Sequence, residues 1–274
     1  MNSKSHRKIA YLLLFFVCFL FFKSIYGYEI FIYRLYPDKK PFSQEKKIHV
    51  RGEFFGQWQF PSTFPSYNDL SGDKDRWNFG FRNIIYLTEK TSFLGQLVTH
   101  DDSIDRTKFD WNFTLRHLLY ENLVLVIGHD SDHDSDHVSL INGRRYYVNR
   151  NYLGLGIPLM KGKVYLEPFF WAFLPNTKDR VHLDLSGKDL RQEYGARIGF
   201  WHKEQIGLHL QIKSQADRLF SLGQAFLADL IIRVKLSAWL ELSTGGGYWQ
   251  DMKTSPLGNR KKFYKLIWGI AIPF

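Results

Sequence analysis

Lys261-Lys262-Phe263-Tyr264-Lys265-Leu266-Ile267-Trp268-Gly269-Ile270-Ala271-Ile272-Pro273-Phe274 is the stretch on which the fold turns. Tyr264, Leu266, Trp268, Ile270, Ile272 and Phe274 occupy alternate positions, while Lys265 and Gly269 fall between them. Successive side chains of a β-strand point to opposite faces, so this segment has one continuous apolar face. Residues 205–214 repeat the rhythm: Ile206, Leu208, Leu210 and Ile212 share one face, with His209, Gln211 and Lys213 opposite.

Extended along the chain, the period of two predicts twelve strands: residues 47–60, 75–88, 91–100, 107–119, 122–131, 144–158, 163–174, 190–202, 205–214, 222–234, 237–249 and 261–274. Most are long enough to cross a hydrocarbon layer at a tilt, which takes about 9–11 residues. The connections alternate between tight joints and longer loops, as in a barrel with small periplasmic turns and larger external loops. A closed barrel is the sheet that satisfies every backbone group in lipid. The expected fold is therefore all-β, a transmembrane antiparallel barrel of about twelve strands over residues 47–274. The terminal aromatic behind alternating apolar residues resembles the assembly signal of bacterial outer-membrane barrels. That resemblance implies a bacterial outer-membrane location and a partner, the barrel assembly machinery, engaged through the strand ending at Phe274.

Composition agrees. Of 274 residues, 45% are apolar and 17% aromatic, too many for a disordered chain and enough to call for either a very large core or an apolar solvent. The single cysteine, Cys18, excludes an intrachain disulfide and a cysteine-based metal cluster. At the N-terminus, Lys4, Arg7 and Lys8 precede an uncharged run from Ile9 to Phe22, followed by Lys23, Ser24 and Gly27. The run is too short to span a bilayer and fits a secretory signal peptide, residues 1–27. Residues 28–46 are expected to form an N-terminal periplasmic extension. Without residues 1–27 the net charge falls from +10 to +6, so nucleic acid is not an expected partner.

The alternation assigns to the lumen a row of mixed sign: Arg51, Glu53, Gln57, Arg82, Asp110, Asn112, Thr114, Arg116, Glu167, Arg197, His209, Asp229, Arg233, Glu241 and Lys265. Interspersed acids and bases in a narrow barrel can pair across it and fill it. Trp58, Trp77, Trp111, Trp201, Trp249 and Trp268 fall near strand ends or on outward rows, as interfacial girdles do.

One tract stands apart, Gly128-His129-Asp130-Ser131-Asp132-His133-Asp134-Ser135-Asp136-His137. Leu123, Leu125 and Ile127 form the lipid-facing row of the fifth strand, and the same parity carries on through His129, Ser131 and His133. On the next strand Leu153, Leu155 and Ile157 set the outward row, which continues back to Asn151 and Asn149. A His and a Ser two apart on one face lie within reach for an imidazole to take a hydroxyl proton. Polar groups converging on a lipid boundary are costly and call for a reason.

A His-x-Ser unit on the outer face of one strand, with an Asn on its neighbour, resembles the outer-membrane phospholipase A family, itself a twelve-stranded barrel. The resemblance implies Ser131 as nucleophile, His129 as base and Asn149 or Asn151 as the group orienting the imidazole. It also implies calcium, or another divalent cation, near the oxyanion, with Asp130, Asp132, Asp134 and His133 as available ligands. The residue after the serine is Asp132, where the family has Asn. A second unit, His137 and Ser139, lies in the expected loop. The form His129 to His133 also resembles a unit in bacterial outer-membrane barrels of unassigned activity. Outer-membrane lipids are the expected partners, and a homodimer is left open. Three functions remain in view: a lipid acyl hydrolase, phospholipase A-like or lipid A deacylase-like; a channel for small solutes; and a non-catalytic, surface-exposed barrel binding ions or ligands.

Overall fold

The computed structural model describes residues 48–60, 76–100, 110–132, 148–177, 190–202, 205–251 and 262–274. The signal peptide and the extension expected over residues 1–46 lie outside them. The strands are β1 His49–Phe60, β2 Arg76–Tyr86, β3 Thr91–His100, β4 Asp110–Tyr120, β5 Leu123–Asp132, β6 Val148–Gly156, β7 Leu159–Lys161, β8 Val164–Phe173, β9 Gln192–His202, β10 Ile206–Ala216, β11 Ala225–Lys235, β12 Glu241–Asp251 and β13 Lys262–Pro273. Antiparallel pairing runs round the ring, and β1 against β13 completes it, from Glu53↔Pro273 to Phe60↔Leu266.

The sixth stave is in two lengths. Both β6 and β7 pair with the same edge of β8, Gly156↔Phe169 ending one and Leu159↔Leu166 opening the other. Between them stand Ile157 and Pro158; proline has no N–H to give a ladder, and Ile157 N–H donates to Pro168 O at 2.9 Å. Counted by stave, the barrel has the twelve members that the alternation predicts.

The faces sort by parity. Phe54, Ile127, Leu153, Leu155, Ile270 and Ile272 stand exposed on the outside. In water such a surface would drive aggregation; around a ring whose backbone is paired within itself, it is a membrane wall. A closed even-staved barrel, apolar outside and polar inside, with short turns at one end and long connections at the other, has the architecture of a bacterial outer-membrane barrel. Inside, charged side chains reach across the lumen. Arg116 on β4 pairs with Glu167 on β8 at 2.8 Å, and Arg233 on β11 with Glu53 on β1 at 2.7 Å. Arg197 Nη1 lies 3.9 Å from Glu167, and Arg82 Nε 3.5 Å from Glu53. Glu53, Arg116, Glu167 and Arg197 are completely buried, a state tolerable for charges only with partners of this kind. Trp201 corrects the girdle expectation: it is buried on the lumen side, edge-on to His209 at 5.2 Å, because its parity on β9 is opposite to that of exposed Phe200.

Candidate functional site

β5 ends and β6 begins at the long-loop end of the barrel. Exposed Ile127 on β5 and Leu153 on β6 are directly opposed, and the next two outward rows toward the loop are His129↔Asn151 and Ser131↔Asn149. His129 Nδ1 lies 2.8 Å from Asn151 Oδ1, and Asn151 Nδ2 donates to Asn149 Oδ1 at 2.8 Å. An amide oxygen only accepts, so Nδ1 is the donor of this bond, and the neutral tautomer that makes it has its lone pair on Nε2. Ser131 is two residues further along the same face, about 7 Å away by strand rise. It is buried, in register between Trp111 of β4 and Asn149 of β6. The Trp111 ring meets His129 edge-on at 5.3 Å.

Two supports hold this patch. On the lumen side, Gly128 leaves room for the ring of Tyr152; a methyl group there would collide with it. Tyr152 OH bonds Thr114 Oγ1 at 3.0 Å, and its ring stacks on Trp171 at 4.7 Å within a buried cluster that includes Val124, Val126, Phe169, Phe173 and Leu190. At the rim, Asn151 lies beyond the last β6–β8 pair, Tyr152↔Phe173. There the fully buried Thr177 takes the place of a strand: its Oγ1 accepts from Asn151 N–H at 3.0 Å and donates to Asn151 O at 3.1 Å. Leu174 N–H adds a bond to the same carbonyl at 2.7 Å.

The structure thus brings His129, Asn151 and Asn149 together in one hydrogen-bonded row, with Ser131 on the same face. Asp130 falls on the other face, turned into the lumen and bonded by the side-chain amide of Asn112. Asp132 pairs through its backbone with Val148. His133, Asp134, His137 and Ser139 lie outside the described residues. Among the described residues, no group of three or more His, Cys, Asp or Glu is placed to hold a metal ion. Thr177, the Trp111–His129 contact and the Gly128–Tyr152 contact are absent from the sequence reading, which has Trp111 only as a girdle residue; Gly128, a glycine inside a strand, signals close packing before the fold is known.

No protein-family model matches the sequence, and none of the curated proteins compared with it matches either. Solved structures do. The chain is similar to the NanC porin, at 11% identity and TM-score 0.46 over 81% of this chain and 98% of that one. It is similar to an outer membrane channel from Pseudomonas putida F1, at 13% identity and TM-score 0.43 over 85% and 97%. It is also similar to the outer membrane phospholipase of Salmonella typhi, solved as a dimer with bound calcium, at 14% identity and TM-score 0.42 over 90% and 98%. All three are outer-membrane proteins, and they differ in activity.

Proposed function

We propose that this outer-membrane barrel is a serine-dependent acyl ester hydrolase that takes its lipid substrate sideways from the bilayer. The observation that carries the reading is the 2.8 Å bond between His129 Nδ1 and Asn151 Oδ1 on the lipid-facing side of the wall. With Nδ1–H held by the amide, neutral Nε2 accepts the Ser131 hydroxyl proton as Oγ attacks the acyl carbonyl. Collapse of the tetrahedral adduct breaks the ester C–O bond, and His129 returns the proton to the leaving alcohol. Water, deprotonated in turn by His129, then hydrolyses the acyl-serine and frees the fatty acid. Asn151 remains neutral throughout; it fixes tautomer and orientation, and Asn149 fixes the Asn151 amide.

Beside Ser131 the described donors are His129 and two asparagines, a set suited to moving a proton and short of the carboxylates that calcium takes. A divalent cation would have to be brought by the loop that follows Ser131, through Asp132, Asp134 and His133; a rate abolished by chelator and restored by calcium tests for it. Against conduction of solutes stand the ion pairs that cross the lumen from β4 to β8 and from β11 to β1.

The test is fatty-acid release by refolded protein from phospholipid and, separately, from lipid A. Ser131→Ala is expected to lower the rate by at least about 10³-fold with the barrel intact. Undiminished turnover in that variant removes Ser131 as the nucleophile; no release from either lipid removes the hydrolase, and stepwise conductance in a planar bilayer would put a channel in its place.

A further inference from the structure

The connection between β10 and β11, residues 217–224, belongs to the long-loop end, yet it folds onto the outer wall. Phe220 lies parallel to Phe170 of β8, with ring centroids 5.8 Å apart and planes 1° apart. Phe170 is in register with Leu155 of the exposed outward row of β6, so the stack sits on the membrane-facing side.

The fold-back is built in. Gln192, buried at the start of β9, grips the loop backbone at both ends of its amide: Oε1 accepts from Phe220 N–H at 2.5 Å and Nε2 donates to Ser221 O at 2.6 Å. Gly223 N–H donates to Tyr194 OH at 3.0 Å, and a side chain at Gly223 would strike Ser214 Oγ. Gln224 Nε2 reaches Asp217 Oδ1 at 2.6 Å, closing the loop on itself. Phe220 holds φ at 57°, a conformation that a bulky residue adopts at a cost and that marks a constrained, purposeful site. The result is outward presentation of apolar side chains: Leu219 is 48% exposed, and Phe220 and Leu222 are each 88% exposed. Arg218 stands exposed beside them.

We propose that residues 217–224 form a lipid-inserting foot, with Leu219, Phe220 and Leu222 among the acyl chains of the outer leaflet and Arg218 reaching back to headgroup phosphate. Continuity with the lipid-facing row through Phe170 identifies the occupant as acyl chain, because an aromatic pinned against a membrane wall shares that wall's solvent. The foot exists whether or not the protein hydrolyses lipid.

The experiment places a nitroxide at Leu222→Cys in a Cys18→Ser background, with Leu155→Cys as a lipid-facing control, in phosphatidylcholine/phosphatidylglycerol vesicles. Collision with oxygen is expected to exceed collision with a water-soluble nickel chelate at position 222, as at position 155. Gln192→Ala, checked for an intact barrel by heat-modifiable migration, is expected to invert that ratio by freeing the loop into water. Nickel-dominated relaxation at position 222 with Gln192 present overturns the proposal. So does a label shielded from both reagents in a manner that depends on protein density, which assigns the face to a second copy of the chain. A ratio unmoved by Gln192→Ala removes the clamp on which the foot depends.

Discussion

Where β4 meets β5, the outer wall changes character within a single ladder. On the β4 side of the register stand Phe113 and Trp111; directly opposite on β5 stand His129 and Ser131. On β1, β2 and β13 the outward rows near the long-loop end are aromatic: Trp58 stacks on Trp268 at 4.9 Å and on Phe60 at 6.1 Å, and Trp77 on Phe79 at 6.2 Å. Aromatic rings at this level place an amphipathic body where apolar and wet regions meet. The β5–β6 wall forgoes that and sets four polar side chains in two adjacent rows, three of them bonded to one another. The aromatic solution lies one strand away, and the hydrolase proposed above gives the polar set a use that packing against β4 does not.

Making the two walls alike is the strongest way to break the comparison. His129→Phe extends the girdle of Trp111 and Phe113 across β5. It should cost at least about 10³-fold in fatty-acid release, since the proton acceptor is gone. Stability to urea should hold or rise, because a desolvated polar group has been exchanged for apolar surface. A barrel that unfolds more easily would return His129 to the structural residues and end the contrast.

The inner side of the same wall gives a second lever of intermediate size. Gly128→Ala pushes a methyl group into the Tyr152 ring, whereas a methyl group at Gly56 on the opposite wall would meet Phe79 at 3.5 Å and Ile270 at 3.7 Å, ordinary contact distances. Gly128→Ala should therefore destabilise by about 1–3 kcal/mol and, by tilting β5 under His129, lower turnover by about 10²-fold. Gly56→Ala should leave both unchanged. Equal effects in denaturant titration and in turnover would mean that the fit of Gly128 against Tyr152 is no tighter than that of Gly56.

What the sequence discloses of this contrast follows from what lipid enforces. Tyr264 to Phe274 and Ile206 to Ile212 are readable because each outward position must be apolar, and parity alone then turns His129 and Ser131 outward with Ile127. Parity does not choose between Asn149 and Asn151. Both share a face, and fifteen residues separate the ends of β5 and β6, so the register that sets Asn151 against His129 is fixed by pairing and not by spacing. Trp201 shows the opposite failure: a tryptophan close to a strand end resembles a girdle residue, and only its neighbour Phe200, exposed at 39%, reveals that it faces inward. Loop 217–224 lies further from view, because its fold-back depends on Gln192 and Phe170, contributed by two other strands.

Thr177 is the least legible contributor and carries the smallest expected effect. It lies past β8, with no pattern to mark it, and its hydroxyl serves the backbone of Asn151 where strand pairing has run out. Thr177→Val keeps the shape and removes both bonds, each worth about 1 kcal/mol net, leaving the Asn151 N–H without the partner that a strand would otherwise supply. The Asn151 amide should then hold His129 less well, lowering kcat by about tenfold with KM unchanged. Thr177→Ser keeps the hydroxyl and should restore the rate. Because serine loses the methyl group and valine loses the oxygen, the pair separates packing from hydrogen bonding. If the two variants fall equally, the residue is filler at the rim; if valine alone falls, the polar wall is held in register by a side chain standing in for a missing strand.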